Sequence, residues 1–368
     1  MKRYVSVIGT AVLVGLLIVG CTQAAPAPAP TAAPAPPKAA EPTKPAPGAA
    51  APTAAPAAPA AVPAKKVDYP QKGKTLTYIA PYAPGGSSDT IMRLMQPVLE
   101  RELGIPVQIV NKVGAGSQIG TTEIALSKPD GYTFGYTSLP TVNSIYLDPD
   151  RKAAFGRKDL QPLTEQSVDY NVWAVKTESP YKTVKDLVDA AKANPKKISI
   201  SSSGVGSITH MGLLKFAQVA GVDINIVQFD GQGPATTALL GGHIDVSSTY
   251  VGNIAGALKS KQMRLIGIMG PERNKYAPDV PSFLEQGYKD VEAPNIRGFV
   301  MPAGAPKEVV DTLVSALKKS QEAPDYIKAL EEQYYTLRYA DPADFSKLWN
   351  DWDTKVVPLM ELVRKASQ

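Results

Sequence analysis

From residue 75 onward the chain repeats one unit: a short apolar run, a loop rich in glycine and hydroxyls, then a helical apolar rhythm. Residues 76–79 read as a strand. Residues 90–103 read as a helix, with Ile91, Leu94, Met95, Val98 and Leu99 on one face. Pro97 is its expected kink and Gly104 its C-cap. Strands at 107–110 and 132–137 flank a helix at 119–127. The pattern resumes with strands at 171–175, 198–201, 224–229, 243–247 and 264–269, and helices at 184–193, 211–220 and 235–240. Two long amphipathic helices, 307–320 and 343–364, close the chain. This alternation predicts an α/β fold: doubly wound, mostly parallel sheets with helices on both faces. Ligands of such sheets bind at the carboxyl ends of the strands, where these loops lie. Some 300 residues are ample for two such domains.

The first sixty-odd residues obey different rules. Lys2 and Arg3 precede an apolar run, 5–19, that ends at Gly20 and Cys21, the single cysteine of the chain. This is the anatomy of a secretory signal, residues 1–20, and the run is short for a membrane span. A lone cysteine at that point resembles a bacterial lipobox, which implies acylation of Cys21 and a lipid anchor. The alternative is an uncleaved anchor with an incidental cysteine. Residues 22–64 are almost wholly Ala, Pro and Thr. Such a composition cannot offset the entropy of ordering and favours an extended, disordered stalk. The lipidated cysteine and linker are placed at 21–73, with ordered structure from Lys74.

With Cys21 used in this way, disulfides, thiol catalysis and cysteine–metal sites are not expected in the body. The formal net charge is +5, two of it from Lys2 and Arg3. No basic stripe with interleaved aromatics is present, so nucleic acid is not an expected partner.

Three loops join glycine to serine or threonine between a strand and a helix: 85–88, 114–117 and 202–209. A helix N-terminus presents free amides and partial positive charge. Glycine admits close approach of a ligand, and hydroxyls add adjustable donors. Together they form a cradle for a carboxylate or phosphate. The alternative for each loop is a capped turn, with Ser88, Asp89 or Ser207 capping a helix.

Several further stretches carry a specific likeness. They are Pro84-Gly85-Gly86-Ser87-Ser88-Asp89, Asn111-Lys112-Val113-Gly114-Ala115-Gly116 and Lys128-Pro129-Asp130-Gly131-Tyr132-Thr133. Gly204-Val205-Gly206-Ser207 running to His210, Leu240-Gly241-Gly242-His243-Ile244-Asp245, Pro278-Asp279-Val280-Pro281 and Pro302-Ala303-Gly304-Ala305-Pro306 complete the set. In order and spacing, from residue 75 to the C-terminus, the chain resembles the substrate-binding receptors of tripartite tricarboxylate transporters, the Bug or TctC-like family. The resemblance implies a periplasmic-binding-protein-like clamshell of two α/β domains with a ligand cleft between them. Domain 1 would be 74–171 plus 296–368, braced by the C-terminal helices, and domain 2 would be 172–295. The two crossings would form the hinge.

By the same resemblance, Tyr82, Gly85, Gly86, Ser87, Ser88, Gly114, Ala115, Gly116, Ser117 and Ser138 would face the ligand from domain 1. Ser202, Ser203, Gly206, Ser207 and Thr209 would hold a carboxylate from domain 2. His210 either donates to the anion or is satisfied by the backbone. Asp245 either supports the loops from behind or meets an amine on the ligand. Tyr82 and Tyr250 either line the cleft or pack at its rim. The implied ligand is a small organic carboxylate, and the implied partners are the large and small membrane subunits of a transporter. The receptor would be a monomer at the cell surface or in the periplasm, tethered through Cys21, with no cofactor and no metal.

One stretch departs from the family pattern. Gln228-Phe229-Asp230-Gly231 puts Phe229 where relatives often carry tyrosine, and adds the charge of Asp230. If Asp230 faces the cleft, it disfavours extra ligand carboxylates and favours mono- or dicarboxylates or an amino acid; if it points outward, it changes nothing. Tyr250-Val251-Gly252-Asn253 is also unusual. No HExxH, GxSxG or Walker A sequence is present, and Gly114–Gly120 misplaces its third glycine for a dinucleotide fingerprint. A surface enzyme is therefore a weak alternative. A ligand sensor for a signalling partner is a second one, and the sequence does not separate it from transport.

Overall fold

The computed structural model describes residues 68–367. The expected signal, Cys21 and nearly all of the expected stalk lie outside these residues. The chain enters an α/β body with β1 (Leu76–Ala80), α1 (Ser87–Leu103), β2 (Val107–Asn111), α2 (Gln118–Leu126), β3 (Thr133–Leu139) and α3 (Thr141–Leu147). A long strand, β4 (Leu160–Tyr170), leads to β5 (Val172–Lys176), α4 (Val184–Ala193), β6 (Ser199–Ser202) and α5 (Ile208–Ala220). Then come β7 (Asn225–Gln228), α6 (Gln232–Leu240), β8 (Val246–Thr249), α7 (Ala255–Lys259) and β9 (Met263–Ile268). The return strand is β10 (Pro294–Pro302), followed by α8 (Lys307–Glu322), α9 (Pro324–Glu332), β11 (Leu337–Ala340), α10 (Pro342–Lys355) and α11 (Val357–Ala366).

Two sheets result. One has the order β11-β4-β10-β3-β1-β2 and the other β7-β6-β8-β5-β9. Strands linked by helical crossovers pair in parallel: β1 with β2 and β3, and β6 with β7 and β8. The expectation of mostly parallel sheets is corrected here, because both sheets are mixed. The strand that enters each sheet from the other one runs against its neighbours. Thus β5 is antiparallel to β8 and β9, and β10 is antiparallel to β3 and β4. Neither β4 nor β10 stands out in the sequence. Glu165, Gln166, Ser167 and Arg297 give them buried polar positions in place of an apolar alternation.

Each sheet is covered on both faces, which is why its strands are apolar on both sides. On the six-stranded sheet, Tyr78, Phe134 and Phe299 pack under Met92, Met95 and Leu99 of α1 and Leu313 and Leu317 of α8. Ile79, Leu139, Ile296 and Val300 face the other way, against Ile124 of α2 and Phe345 and Trp349 of α10. On the five-stranded sheet, Trp173, Ile200 and Ile266 meet Leu187 of α4 and Leu213 and Phe216 of α5. Ala174 and Met263 meet Leu239 and Ile254 on the reverse face.

Three local expectations change. The body begins before Lys74: the Tyr69 hydroxyl donates to the Gly131 carbonyl at 2.8 Å, and its ring packs edge-on against Tyr132. Helix α1 runs through Pro97 without interruption and ends on Gly104 in the left-handed conformation, whose amide donates to the Glu100 carbonyl. The expected single helix 343–364 is two. Pro358 has no amide to continue the ladder and crowds the preceding turn, so α10 ends at Lys355 and α11 starts afresh. The break redirects the chain. Helix α10 covers the six-stranded sheet as expected, whereas α11 lays Met360 and Val363 against Met211 and Leu214 of α5.

Trp173 is fully buried, with ring centres of Phe216 and Phe283 at 4.6 and 5.0 Å. Trp173→Ala should therefore cost about 3–5 kcal/mol by leaving a cavity among rings that cannot collapse. Urea unfolding of the variant measures the loss, and a shift under 1 kcal/mol would contradict this packing.

Candidate ligand-binding site

The carboxyl ends of strands from both sheets meet around a cavity of about 350 Å³, its mouth included. Tyr82, Gly86, Ser87 and Ser88 reach it from the turn between β1 and α1. Tyr136 and Ser138 come from β3, Thr141 from α3, and Asn295 from β10. Ser203 and Ile208 come from the turn between β6 and α5, Gly231 and Gln232 from the start of α6, and Tyr250 from the end of β8. Every residue of this lining is neutral.

Four helices, α1, α3, α5 and α6, start at the cavity. Helix α5 is capped: the Ser207 Oγ accepts the His210 amide at 3.2 Å. Helices α1 and α6 have Gly86 and Gly231 as N-caps, with no side-chain cap. The Asp89 amide donates to the Gly86 carbonyl at 3.1 Å and Pro234 has none, which leaves the amides of Ser87 and Ser88 and of Gln232 and Gly233 at the positive ends of the two dipoles. Side chains add to this. Ser88 Oγ, both amide atoms of Gln232, the Tyr250 hydroxyl and Asn295 Oδ1 are buried without a hydrogen-bond partner. Each of these residues is at most 6% exposed. Buried polar atoms are almost always paired, so such a cluster calls for polar partners, water or ligand. Burial also raises the Tyr250 hydroxyl far above its usual range, against the pull of Arg297, so it remains a proton donor.

Of the residues singled out from sequence, the structure brings Tyr82, Gly86, Ser87, Ser88, Ser138, Ser203 and Tyr250 to the cavity. The others lie elsewhere. Ala115 and Gly116 form a contact between the two halves of the body, while Gly114 lies beside Ile119 and the Ser117 carbonyl accepts the Thr121 hydroxyl. A Cβ on Gly116 would stand 2.6 Å from the Val205 carbonyl, and one on Gly204 would stand 2.7 Å from the Gly116 Cα. Arg151 fastens this contact, donating Nη1 to the Val205 carbonyl at 3.1 Å and Nη2 to the Ala115 carbonyl. Gly206 packs against Arg151 and Ser144. Gly85, at φ +79°, lies beside Gly233, and its amide donates to Asp89, which Arg93 holds through two hydrogen bonds.

In the loop after β6, Ser202, Ser207 and Thr209 bond one another: Thr209 Oγ1 lies 2.9 Å from both Ser203 Oγ and Ser207 Oγ. Only Ser203 extends into the cavity. His210 accepts the Gly206 amide on Nδ1 at 3.2 Å, and burial pulls its pKa down to about 4. The backbone-satisfied alternative is thus the one the geometry adopts, with a neutral ring. Asp245 stands just before β8, at the opposite end of that strand from Tyr250, and accepts the Ser199 amide and hydroxyl. Asp230 is exposed and does not line the cavity. Asn253 explains the unusual stretch after Tyr250: its Oδ1 accepts from Ser87 and Tyr335, both at 2.7 Å, tying the two halves together.

Sequence reasoning missed Tyr136, Thr141, Ile208, Gly231, Gln232 and Asn295. Gly231 and Gln232 were detectable, since they occupy a strand–glycine–helix junction like the other three. Tyr136 and Asn295 were not, because nothing local marks a strand end that faces a neighbouring sheet.

Two outcomes follow from this geometry. A Cβ on Gly233 would lie 2.3 Å from the Pro84 carbonyl of the facing turn, while alanine itself favours a helix. Gly233→Ala should keep the fold yet hold the halves apart, raising the radius of gyration in small-angle scattering; an unchanged value would argue against this contact in solution. The His210 pKa is lower folded than unfolded, so its contribution is intact above about pH 6.5. As pH falls from there towards 4, the unfolded state binds the proton first and stability drops, by at most about 3 kcal/mol. His210→Asn, melted alongside the wild type at pH 7.5 and pH 5, should lose this acid-dependent part. Equal losses in both proteins would rule His210 out as its source.

Among the described residues no helix is long and apolar enough to cross a membrane, and no cluster of three potential metal ligands occurs. The sequence profile of the Tripartite tricarboxylate transporter family receptor matches residues 91–364. Protein BugT of Bordetella pertussis is 28% identical over 286 residues, 76% of this chain and 86% of BugT. A solved structure described as a periplasmic transporter superposes with TM-score 0.73 at 32% identity, covering 81% of this chain and 98% of its own. MatC from Rhodopseudomonas palustris, solved with bound malate, gives TM-score 0.73 at 25% identity over 80% of this chain and all of its own. Fold and family are those of substrate-binding proteins, and the chain belongs to the tripartite tricarboxylate transporter receptor family, the Bug or TctC-like proteins.

Proposed function

We propose that the protein is an extracytoplasmic receptor that closes over a small organic carboxylate and delivers it to a tripartite tricarboxylate-type membrane transporter. One observation carries this reading: two uncapped helix N-termini and a set of unpartnered buried polar side chains converge on one neutral cavity. Free amides and hydroxyl donors suit a carboxylate. The acceptors Gln232 Oε1 and Asn295 Oδ1 call for a donor on the ligand as well. A hydroxy acid offers both. The malate bound by MatC supports that class. The exposed position of Asp230 removes the reason to expect an amine on the ligand.

Binding would proceed by closure. Residues 74–171 with 296–368 would form one domain and 172–295 the other, hinged where β4 passes into β5 and where β10 returns. Contacts across the cleft give closure its holding points. Ala83 donates its amide to the Asp230 carbonyl at 3.0 Å, Ile208 donates to Thr141 Oγ1 at 3.1 Å, and Ser144 donates to the Gly206 carbonyl at 2.7 Å. In this reading Cys21 carries the lipid that tethers a monomeric receptor, and the large and small transporter subunits receive the closed form.

Malate should raise the melting temperature of the full-length protein in a concentration-dependent way. At a hundredfold excess over Kd, the folded state gains about 2.7 kcal/mol, which amounts to several degrees. The protein is first unfolded and refolded to remove ligand carried from its host. If no mono-, di- or tricarboxylate shifts the melt, the carboxylate-receptor reading fails.

A further inference from the structure

A neutral cavity is a poor place for a charge, and a dicarboxylate brings two. Helix ends supply only partial charges. A full positive charge lies one layer behind the lining. Arg297 on β10 stands directly opposite Ser138 of β3 in the sheet register, so both side chains leave the same face. Asn295, two residues earlier on β10, leaves that face too. Ser138 and Asn295 both line the cavity.

The Arg297 side chain is fully buried, and its guanidinium carbon sits 4.8 Å from the centre of the Tyr250 ring. Its Nη1 pairs with Asp169 and donates to Ser167 Oγ at 3.2 Å. Nε and Nη2 are buried and have no partner.

Asp169 borders a separate groove with Arg273 and Lys275, whereas the guanidinium lies against Tyr250, whose hydroxyl is unpartnered in the ligand cavity. Asp169, opposite Asn295 in the register, leaves the same face as Arg297, so both charges lie behind the lining, and it is the guanidinium that contacts the Tyr250 ring. For stability alone the arrangement is a poor choice, because a buried ion pair is often matched by apolar residues and unpaired N–H groups are unfavourable.

We propose that Arg297 determines the charge of the ligand: from behind Tyr250 it supplies the countercharge that the lining lacks, and so selects doubly ionised carboxylates over singly charged analogues. Tyr250 transmits the effect. The cation on its ring face strengthens its hydroxyl as a donor to one ligand carboxylate. Arg297 is thus a positioning and selectivity residue that does not touch the ligand. Asp169 tempers it: the carboxylate offsets part of the field and holds Nη1 in place. The inference rests on the carboxylate-receptor reading.

Calorimetric titration of the refolded full-length protein with malate and with its monoamide tests both and tells them apart. The two probes share shape and differ by one charge. Wild type should prefer malate. The Arg297→Met/Asp169→Asn double variant, which removes both charges without leaving one unpaired, should bind the monoamide as before and lose the preference by on the order of tenfold. Asp169→Asn alone keeps the cation, frees it from its counter-ion and should enlarge the preference. It decides the matter if the double variant does not fold, as judged by circular dichroism. A preference unchanged in the variants, or a wild type that binds both probes equally, overturns the role of Arg297 and leaves the receptor reading standing. A wild type that binds neither probe removes the hydroxy-acid reading, and this inference with it.

Discussion

The structure depends on bare backbone meeting bare backbone across the cleft. Gly116 lies against Gly204 and Val205, and Gly233 lies against Pro84, at distances where a single methyl group would collide with a carbonyl. These contacts bring helix starts from two sheets within reach of one small volume. Without them the ends of α1 and α6 would face solvent, where an amide gains nothing from an anion that water does not already provide. Arg151 reinforces the same meeting point by donating to carbonyls on both sides. Glycine at 116 permits the close approach of the two halves, and the loop 114–117 does not line the cavity.

The second constraint is electrostatic. The lining offers dipoles and hydroxyls and no formal charge. In the proposed receptor reading, such a lining would recognise a carboxylate by many weak, well-placed donors, and its selectivity would depend on what lies behind it. Burial keeps Tyr250 protonated and His210 neutral, so neither changes state near neutral pH. Asp169 and Arg297 pair across β4 and β10, the two strands that also carry the chain between the sheets. The elements that connect the halves therefore also hold the buried Asp169–Arg297 ion pair.

Helix α11 adds a third link. It follows the return strand in sequence, yet packs on α5, beneath the capped start at Ser207. A proline at its first turn makes this possible by ending α10. Amphipathicity marks a buried face on both C-terminal helices but not what buries it: α10 packs on the six-stranded sheet, and α11 on α5 and Leu147 of α3.

The sequence by itself determined the α/β class, most strand and helix positions, the glycine- and serine-bearing turn after β1 that reaches the cavity, and the family likeness. These are local properties: periodicity, caps and glycine-bearing turns act within a few residues. The hydroxyl loop at 202–209 was legible as polar, but only the fold decides that Ser202, Ser207 and Thr209 bond one another while Ser203 enters the cavity. The antiparallel entry of β5 and β10, the convergence of Tyr136, Gln232 and Asn295, and the placement of Arg297 behind Tyr250 were decided by tertiary structure. Each depends on which strand lies beside which, and neighbours far apart in the chain leave no local pattern to read.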